Sequence, residues 1–300
     1  MTAEGGKKTQ IIPLLLLVLA AAIWGTAFVA QSVGAEYVGP LTFLMARSWI
    51  GAAFLIPVIM VRDRFLLSHT GENEKPRNKT QLKTLLAGGA VTGTALFLAA
   101  LSQQAGISGT TTAKAGFITA QYVVIVPILS VFFGKKVGKK IWGCVMLAVV
   151  GLYFLCMTGS FSLNRADALM LLCAFLFGVQ IMAVNYYSPR VDTVRLSCLQ
   201  FLVEAVLSTI FMLFLEPFDA AAFRLALFSI LYAGVMSSGV AFTLQIVAQK
   251  KLDPTVASIA MSLESVFSAL AGWIILKQTL TPLELCGCAL MFAAIVLSQI

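Results

Sequence analysis

The 300-residue chain is 59% hydrophobic and only 11% charged, with a mean hydropathy of +0.93. Soluble domains carry about 25% charged residues, so too little polar surface remains here to coat a globule of 32.1 kDa, and lipid is the remaining solvent. The net charge of +8 would point a soluble protein toward nucleic acid, but in a membrane chain it points first to basic loops held on the cytoplasmic side, and no nucleic-acid partner is expected.

In chain order the sequence predicts ten apolar helices, near 11–32, 40–61, 82–101, 109–133, 140–158, 166–187, 194–215, 224–248, 254–276 and 281–299. Each run is too long and continuous for a strand, and a lipid-spanning backbone must satisfy its own hydrogen bonds. Ten spans of about 20 residues use roughly 200 and leave about 100 for connections. The fold class is therefore an all-α integral membrane protein with ten transmembrane helices. Segment one follows Lys7 and Lys8 as a signal peptide would, but its apolar run is longer than a signal core and is read as a retained helix. Helix ends are marked by Gly39-Pro40, Ser188-Pro189, Glu216-Pro217, Asp253-Pro254 and Thr281-Pro282. The longest connection, 62–81, contains the polar run SHTGENEKPRNK and the single histidine, His69, and reads as a solvated cytoplasmic loop. All six cysteines lie in apolar runs, where they pack as small hydrophobes. Neither a disulfide nor a metal site is expected, and no cofactor.

The basic residues then report topology. One alternating set of ends and loops holds Lys7 and Lys8; Arg62, Arg64, Lys75, Arg77, Lys79 and Lys83; Lys135, Lys136, Lys139 and Lys140; Arg190 and Arg195; and Lys250 and Lys251, sixteen in all. The opposite set holds three, Arg165, Arg224 and Lys277. A missed helix would scramble this alternation, so it supports the count of ten and places both termini in the cytoplasm of a multi-pass cell-membrane protein.

Segments four and five also resemble segments nine and ten. AKAGFITAQYVVIVPILSVFFGKK from Ala113 aligns with VASIAMSLESVFSALAGWIILKQT from Val256 at an offset of 143, which pairs Gln121 with Glu264 and Lys135 with Gln278. Two halves of five helices are expected, 1–160 and 161–300. Five is odd, so the halves run in opposite senses across the membrane, a plan that places a transporter's site between them near the midplane.

AAIWGTAFVA from Ala21 and PLTFLMARSWIGAAFLIP from Pro40, with Trp24-Gly25 and Arg47 as the recognisable points, resemble the opening of the EamA-like drug/metabolite transporters. TTAKAGFITAQYVVIVPIL from Thr111 and SLESVFSALAGWIILKQTLTP from Ser262 resemble that family's fourth and ninth helices. The likeness runs from about Ile11 to Leu297. It departs at Ser265, where the family often has Pro, and at Gly134-Lys135 and Lys277-Gln278, where it often has Gly-Glu. The resemblance implies ten helices in an inverted repeat and export of small metabolites or amino acids. It also implies a cavity built by helices one to four and six to nine, with five and ten as supports.

Ionisable groups within spans cost about 2.5–3.5 kcal/mol each on insertion scales, so the four present are informative. Glu264 and Glu204 sit midway along their segments, about 10 residues or ~15 Å from either end. Glu264 is read as a cavity group for a substrate amine or a proton, against the alternative of a carboxyl held by Ser258, Ser262 or Ser268. Glu204 carries the same reading, against simple satisfaction by Gln200 one turn earlier. Arg47 reads first as a helix-end anchor or a partner for Glu36, and Lys114 as an interfacial anchor or a charge at the outer gate. Among uncharged groups, Trp24 and Gln31 share a face of helix one, Gln245 and Gln249 share a face of helix eight, and Gln121 and Tyr122 align with Glu264 and Ser265. Amides and aromatics together suit a neutral or zwitterionic organic solute, against the alternative of contacts between helices. The 21 Phe are read as mainly lipid-facing. Gly89 and Gly93 predict a close helix approach, and Pro57 and Pro127 a bend or hinge.

No GxxxxGK[ST] loop is present, so no ATP hydrolysis is expected. The function expected is secondary transport of a small organic solute, in the export direction, with a proton as possible second partner and a monomer or weak homodimer as the assembled form. Uptake or facilitated diffusion is the alternative within the class. An intramembrane enzyme or a receptor without transport is the alternative outside it.

Overall fold

The computed structural model describes residues 3–70, 79–110, 112–156, 165–277 and 281–299. In chain order these form α1 (Ala3–Ala35), α2 (Pro40–Thr70), α3 (Lys79–Ile107), α4 (Thr112–Thr119), α5 (Tyr122–Phe132), α6 (Lys139–Cys156), α7 (Arg165–Tyr187), α8 (Thr193–Leu215) and α9 (Ala220–Tyr232). A π-helical segment (Ala233–Ala241) continues α9 into α10 (Phe242–Gln249), and α11 (Pro254–Met261), α12 (Glu264–Leu276) and α13 (Pro282–Gln299) follow. α4 and α5 meet across a two-residue turn, as do α11 and α12, so the fourteen elements make ten rods, and no strand occurs among the described residues. Eight rods are long and apolar enough to cross a bilayer. The other two, α6 and α13, have 18 residues each.

Several helix starts follow directly from the sequence. Asp192, Asp219 and Asp253 cap α8, α9 and α11 by accepting from the main-chain N–H groups of Arg195, Ala221 and Thr255 at 2.7–2.8 Å. Pro254 then occupies the first turn of α11, where no N–H is needed. The expected loop at 62–81 is corrected. α2 continues through Thr70 and α3 begins at Lys79, and Arg62 and Asp63 pair with Asp192, which caps α8, and with Arg195 on α8, so that this stretch is helix tied to a neighbour rather than loop. Residues 71–78 lie outside the described residues, as does most of the expected boundary between halves at 160–166.

α1 packs on α12 and on the rod that contains the π segment, while α7 packs on α3, α4 and α5. At Gly25 a Cβ would stand 2.6 Å from the Phe267 carbonyl carbon and 2.7 Å from the Ser268 nitrogen, so only glycine permits the approach of α1 to α12. Gly93 does the same for α3 on α8, where a Cβ would lie 2.6 Å from the Gln200 carbonyl oxygen. α6 and α13 pack against each other around Leu152 and Met291, at the edge of the bundle.

α2 and α8 run antiparallel, and both ends of their seam carry ionic contacts. At one end Glu216 accepts from the Leu41 and Thr42 N–H groups at 2.9 and 2.8 Å and from the Thr42 hydroxyl at 2.9 Å, capping α2. At the other end Arg195 meets Asp63 at 2.5 Å and Arg62 meets Asp192 at 2.6 Å. Asp63 and Glu216 are 153 positions apart, as are Thr42 and Arg195, so equivalent acids hold equivalent partners at opposite ends of the seam. The Arg195 end is the basic face, shared by Lys83, Lys135, Arg190 and Lys250 at their helix ends.

Candidate functional site

Two helix breaks make the site possible. At the first, Gln121 N–H donates to Ile118 O at 3.2 Å and Val123 N–H to Ala120 O at 3.0 Å. At the second, Leu263 N–H donates to Ala260 O at 3.4 Å and Ser265 N–H to Ser262 O at 3.2 Å. These i→i+3 bonds tighten the chain between two helical pieces and turn the next residue toward the interior. The second break has a local cause. Ser258, Ser262 and Ser265 each donate their hydroxyls to the carbonyl three residues back, at 2.7–2.8 Å, in competition with the main-chain ladder.

The matching bonds lie 142 positions apart, which corrects the expected offset of 143. The larger offset holds only at the rod exits, where Gly134 and Lys277 both adopt left-handed backbone, φ 77° and 58°. One residue of slip turns a helix by about 100°. Tyr122, rather than Gln121, is therefore the counterpart of Glu264. Gln121 is half-buried and does not line the cavity.

The cavity has an empty volume of about 450 Å³. α1 contributes Trp24, Phe28 and Gln31, spaced along one helical face, α2 contributes Arg47 and α3 contributes Gln103. The breaks supply Thr119, Tyr122, Met261 and Glu264. α7 adds Phe177 and Ile181, and the π segment with α10 adds Ser237, Phe242 and Gln245. α6 and α13 contribute nothing. Phe242 is the aromatic hub: its ring lies 4.8 Å edge-on from Trp24, 5.5 Å from Phe201 and 6.4 Å from Phe177. Such contacts add about 0.5–1.5 kcal/mol per pair beyond area burial and stiffen the wall.

Of the ten residues singled out from the sequence, Trp24, Gln31, Arg47, Tyr122, Gln245 and Glu264 meet at this cavity, whereas Glu204, Lys114, Gln121 and Gln249 do not line it. Three expected pairings are corrected, and Lys114 gains a partner that the sequence did not indicate. Arg47 faces Glu204, with Nη2 and Oε1 3.6 Å apart and both side chains buried, rather than Glu36. Glu204 is not held by Gln200, whose Oε1 accepts from Gln180 at 3.4 Å. The hydroxyls of Ser258 and Ser262 bond the main chain, and that of Ser268 donates to Thr112 O at 2.9 Å, so none holds Glu264. Lys114 meets the fully buried Asp167 at 2.8 Å, joining α4 to the first turn of α7 at the end away from the basic face.

Sequence reading missed the aromatic wall. Phe28, Phe177 and Phe242 line the cavity, while Phe132, Phe214 and Phe228 are more than four-fifths exposed to the surroundings. A Phe in an apolar helix looks the same in either place. Gln103 had a usable signal, because it lies 142 positions before Gln245.

Six buried polar atoms of the lining find no hydrogen-bond partner among the described residues: Trp24 Nε1 and Arg47 Nε as donors, Gln31 Oε1, Gln245 Oε1 and Glu264 Oε1 as acceptors, and the Tyr122 hydroxyl, which can serve as either. Buried polar groups are paired in the great majority of cases, so a cluster of exceptions around one cavity marks a place where a solute makes the bonds. The Tyr122 side chain adjoins the Glu264 carboxyl. Among the described residues no group of three His, Cys, Asp or Glu side chains gathers as metal ligands would.

The chain matches the sequence pattern of the EamA-like transporter family twice, over residues 11–157 and 164–299. It is 30% identical to an uncharacterized transporter of Archaeoglobus fulgidus (strain ATCC 49558) over 98% of this chain and 87% of that protein. It is 21% identical to the uncharacterized transporter YoaV of Bacillus subtilis (strain 168), over 86% and 87% of the two chains. A solved crystal structure superposes with a TM-score of 0.74 at 18% identity, covering 95% of this chain and 96% of its own, and has the same fold.

Proposed function

This chain belongs to the EamA-like transporter family, and from that premise we propose that it is a secondary transporter that exports a small organic solute across the cytoplasmic membrane by alternating access. The observation that carries the reading is the cavity wall. Its unpartnered donors and acceptors sit beside Trp24, Phe28, Tyr122, Phe177 and Phe242, a composition suited to a neutral or zwitterionic solute with a flat apolar part. Amino acids, and metabolites or drug-like compounds of that chemistry, are the solutes to try first. The two halves, 1–160 and 161–300, are read as inverted repeats that exchange conformations around the cavity. The basic face is the cytoplasmic one, with both termini on it, and the protein acts in lipid as a monomer or weak homodimer. The chemistry is binding and release, with no bond made or broken in the solute.

Glu264 is the group we assign to a solute amine or a coupling proton, because it is the one acid of the lining. Counterflow in proteoliposomes tests the assignment, with L-phenylalanine, L-alanine, uridine and tetraphenylphosphonium, with and without a pH gradient. The wild-type chain is expected to exchange at least one of them. Glu264→Gln is expected to slow that exchange at least about tenfold and to remove its response to the gradient. Wild-type flux with the wild-type response in the variant would sink the role of Glu264.

A further inference from the structure

Below the cavity, toward the basic face, runs a chain of buried amides. Gln245 on α10 lines the cavity and donates to Gln180 on α7 at 3.2 Å, and Gln180 donates to Gln200 on α8 at 3.4 Å. Gln249 lies one turn beyond Gln245 on the same face of α10 and is the last residue of that helix before Lys250. All four side chains are at most 2% exposed. Four polar atoms of this group remain without a partner among the described residues, Gln245 Oε1, Gln200 Nε2 and both Oε1 and Nε2 of Gln249. Burying an amide without a partner is costly, and an apolar side chain would fill the same space without that cost. Packing alone therefore does not account for amides here.

The correspondence between halves supplies the second observation. Before the long connection after α2, equivalent residues lie 153 positions apart, and after it 142 apart. Trp24 and Phe177 are equivalent, as are Phe28 and Ile181, Gln103 and Gln245, Thr119 and Met261, and Tyr122 and Glu264, and every member of these pairs lines the cavity. Gln31, Ser237 and Phe242 have equivalents outside the lining (Val184, Ala95 and Ala100), and so does Arg47, the one charged residue of these four. It lines the cavity seven residues from the end of α2 away from the basic face, whereas its equivalent, Gln200, lies seven residues from the basic-face end of α8 and belongs to the amide chain. When two equivalent halves exchange conformations, Gln200 takes the place that Arg47 holds in this state.

We propose that Gln180, Gln200, Gln245 and Gln249 form a second hydrogen-bonding station for the solute, which takes its polar uncharged or zwitterionic end when the basic face opens. The inference rests on the transport reading above. The station differs from the cavity in charge. Arg47 presents a guanidinium to the solute on one side, while Gln200 presents a neutral amide on the other, so an anionic group is held more weakly at the inner station. Amides hold no exchangeable charge, so this stretch passes hydrogen-bonded solute and water rather than relaying protons.

Thiol accessibility in the full-length chain tests the station. Gln249→Cys, Gln200→Cys and the neighbouring Ala248→Cys are placed in inside-out and right-side-out membrane vesicles. Each is treated with the membrane-impermeant reagent 2-(trimethylammonium)ethyl methanethiosulfonate, and the parent protein, with its native cysteines, sets the background. Two separate positions guard against one variant misfolding, and gel filtration in detergent checks each. Gln249→Cys and Gln200→Cys are expected to react about tenfold faster than Ala248→Cys, and from the basic face alone. Reaction no faster than Ala248→Cys at both positions overturns the station even when the wild-type chain exchanges L-phenylalanine. A failed transport reading looks different: no member of the solute panel exchanges on the wild-type chain, whatever the labelling.

Discussion

Arg47 and Glu204 are a buried pair with opposite charges 3.6 Å apart, and their energetics are dominated by what happens when one is removed. Arg47→Ala leaves a carboxylate uncompensated, and breaking a buried pair costs about 3–5 kcal/mol, far more than replacing both partners with apolar groups of similar volume. Thermal unfolding in detergent should show a larger loss for Arg47→Ala than for the double variant Arg47→Met, Glu204→Leu. Equal losses would mean that Glu204 draws its compensation from elsewhere. Lys277 makes a second case. It ends α12 at φ 58°, where Gly134 ends the equivalent α5 at φ 77°. A left-handed residue with a Cβ costs roughly 1–2 kcal/mol, partly offset by the greater freedom of glycine in the unfolded chain. Lys277→Gly is therefore expected to stabilise the protein by about 0.5–1 kcal/mol, seen as a higher unfolding midpoint. At this scale the sequence was legible wherever charge was scarce. Glu264, Arg47, Trp24 and Gln31 stand out because each is unusual in an apolar run. Partners were not legible, since Arg47 and Glu204 are more than 150 positions apart and only folding brings them together.

At the scale of elements, ordinary helix grammar predicted the rods well and their interruptions poorly. Asp253-Pro254 marked a helix start that the structure caps through Asp253, while the same kind of cap by Asp192 and Asp219 was not picked out from the sequence. The turns at Ala120–Gln121 and Ser262–Leu263 and the π segment at Ala233–Ala241 carry no Pro, and a hydropathy pattern does not register them. They decide which side chains face the cavity, which is why Tyr122 is there and Gln121 is not. Glycines were more legible, as a small residue in an apolar helix implies close approach. Gly93→Leu should wedge α3 from α8 against the Gln200 carbonyl, at a cost of roughly 1–3 kcal/mol, read as a lower unfolding midpoint. The cap on α2 is similarly specific. Glu216→Ala removes three hydrogen bonds to Leu41 and Thr42 and is expected to cost about 0.5–2 kcal/mol, with faster hydrogen exchange confined to the first turn of α2. Uniform exchange throughout the bundle would instead indicate a global effect.

For the whole molecule, the seam between α2 and α8 is tied at both ends, by Glu216 on one side and by Asp63–Arg195 and Arg62–Asp192 on the other. A transporter that opens alternately must release one tie at a time, so weakening the basic-face tie shifts the population toward states open on that face. Asp63→Asn should accelerate thiol labelling of Gln249→Cys, and an unchanged rate would show that the tie is not what holds that face shut. The sequence by itself determined the solvent, the number of rods and the gathering of basic residues at alternate helix ends. Each of these follows from composition and from patterns summed over many residues, which no single contact can overturn. Only the tertiary structure decided the 142-position register, the exchange of Glu36 for Glu204 as the partner of Arg47, the phenylalanines of the cavity wall and the amide chain beneath it. Those depend on rotation about helix axes, where one residue is worth about 100°, and on contacts between helices distant in the chain, for which hydropathy carries no information.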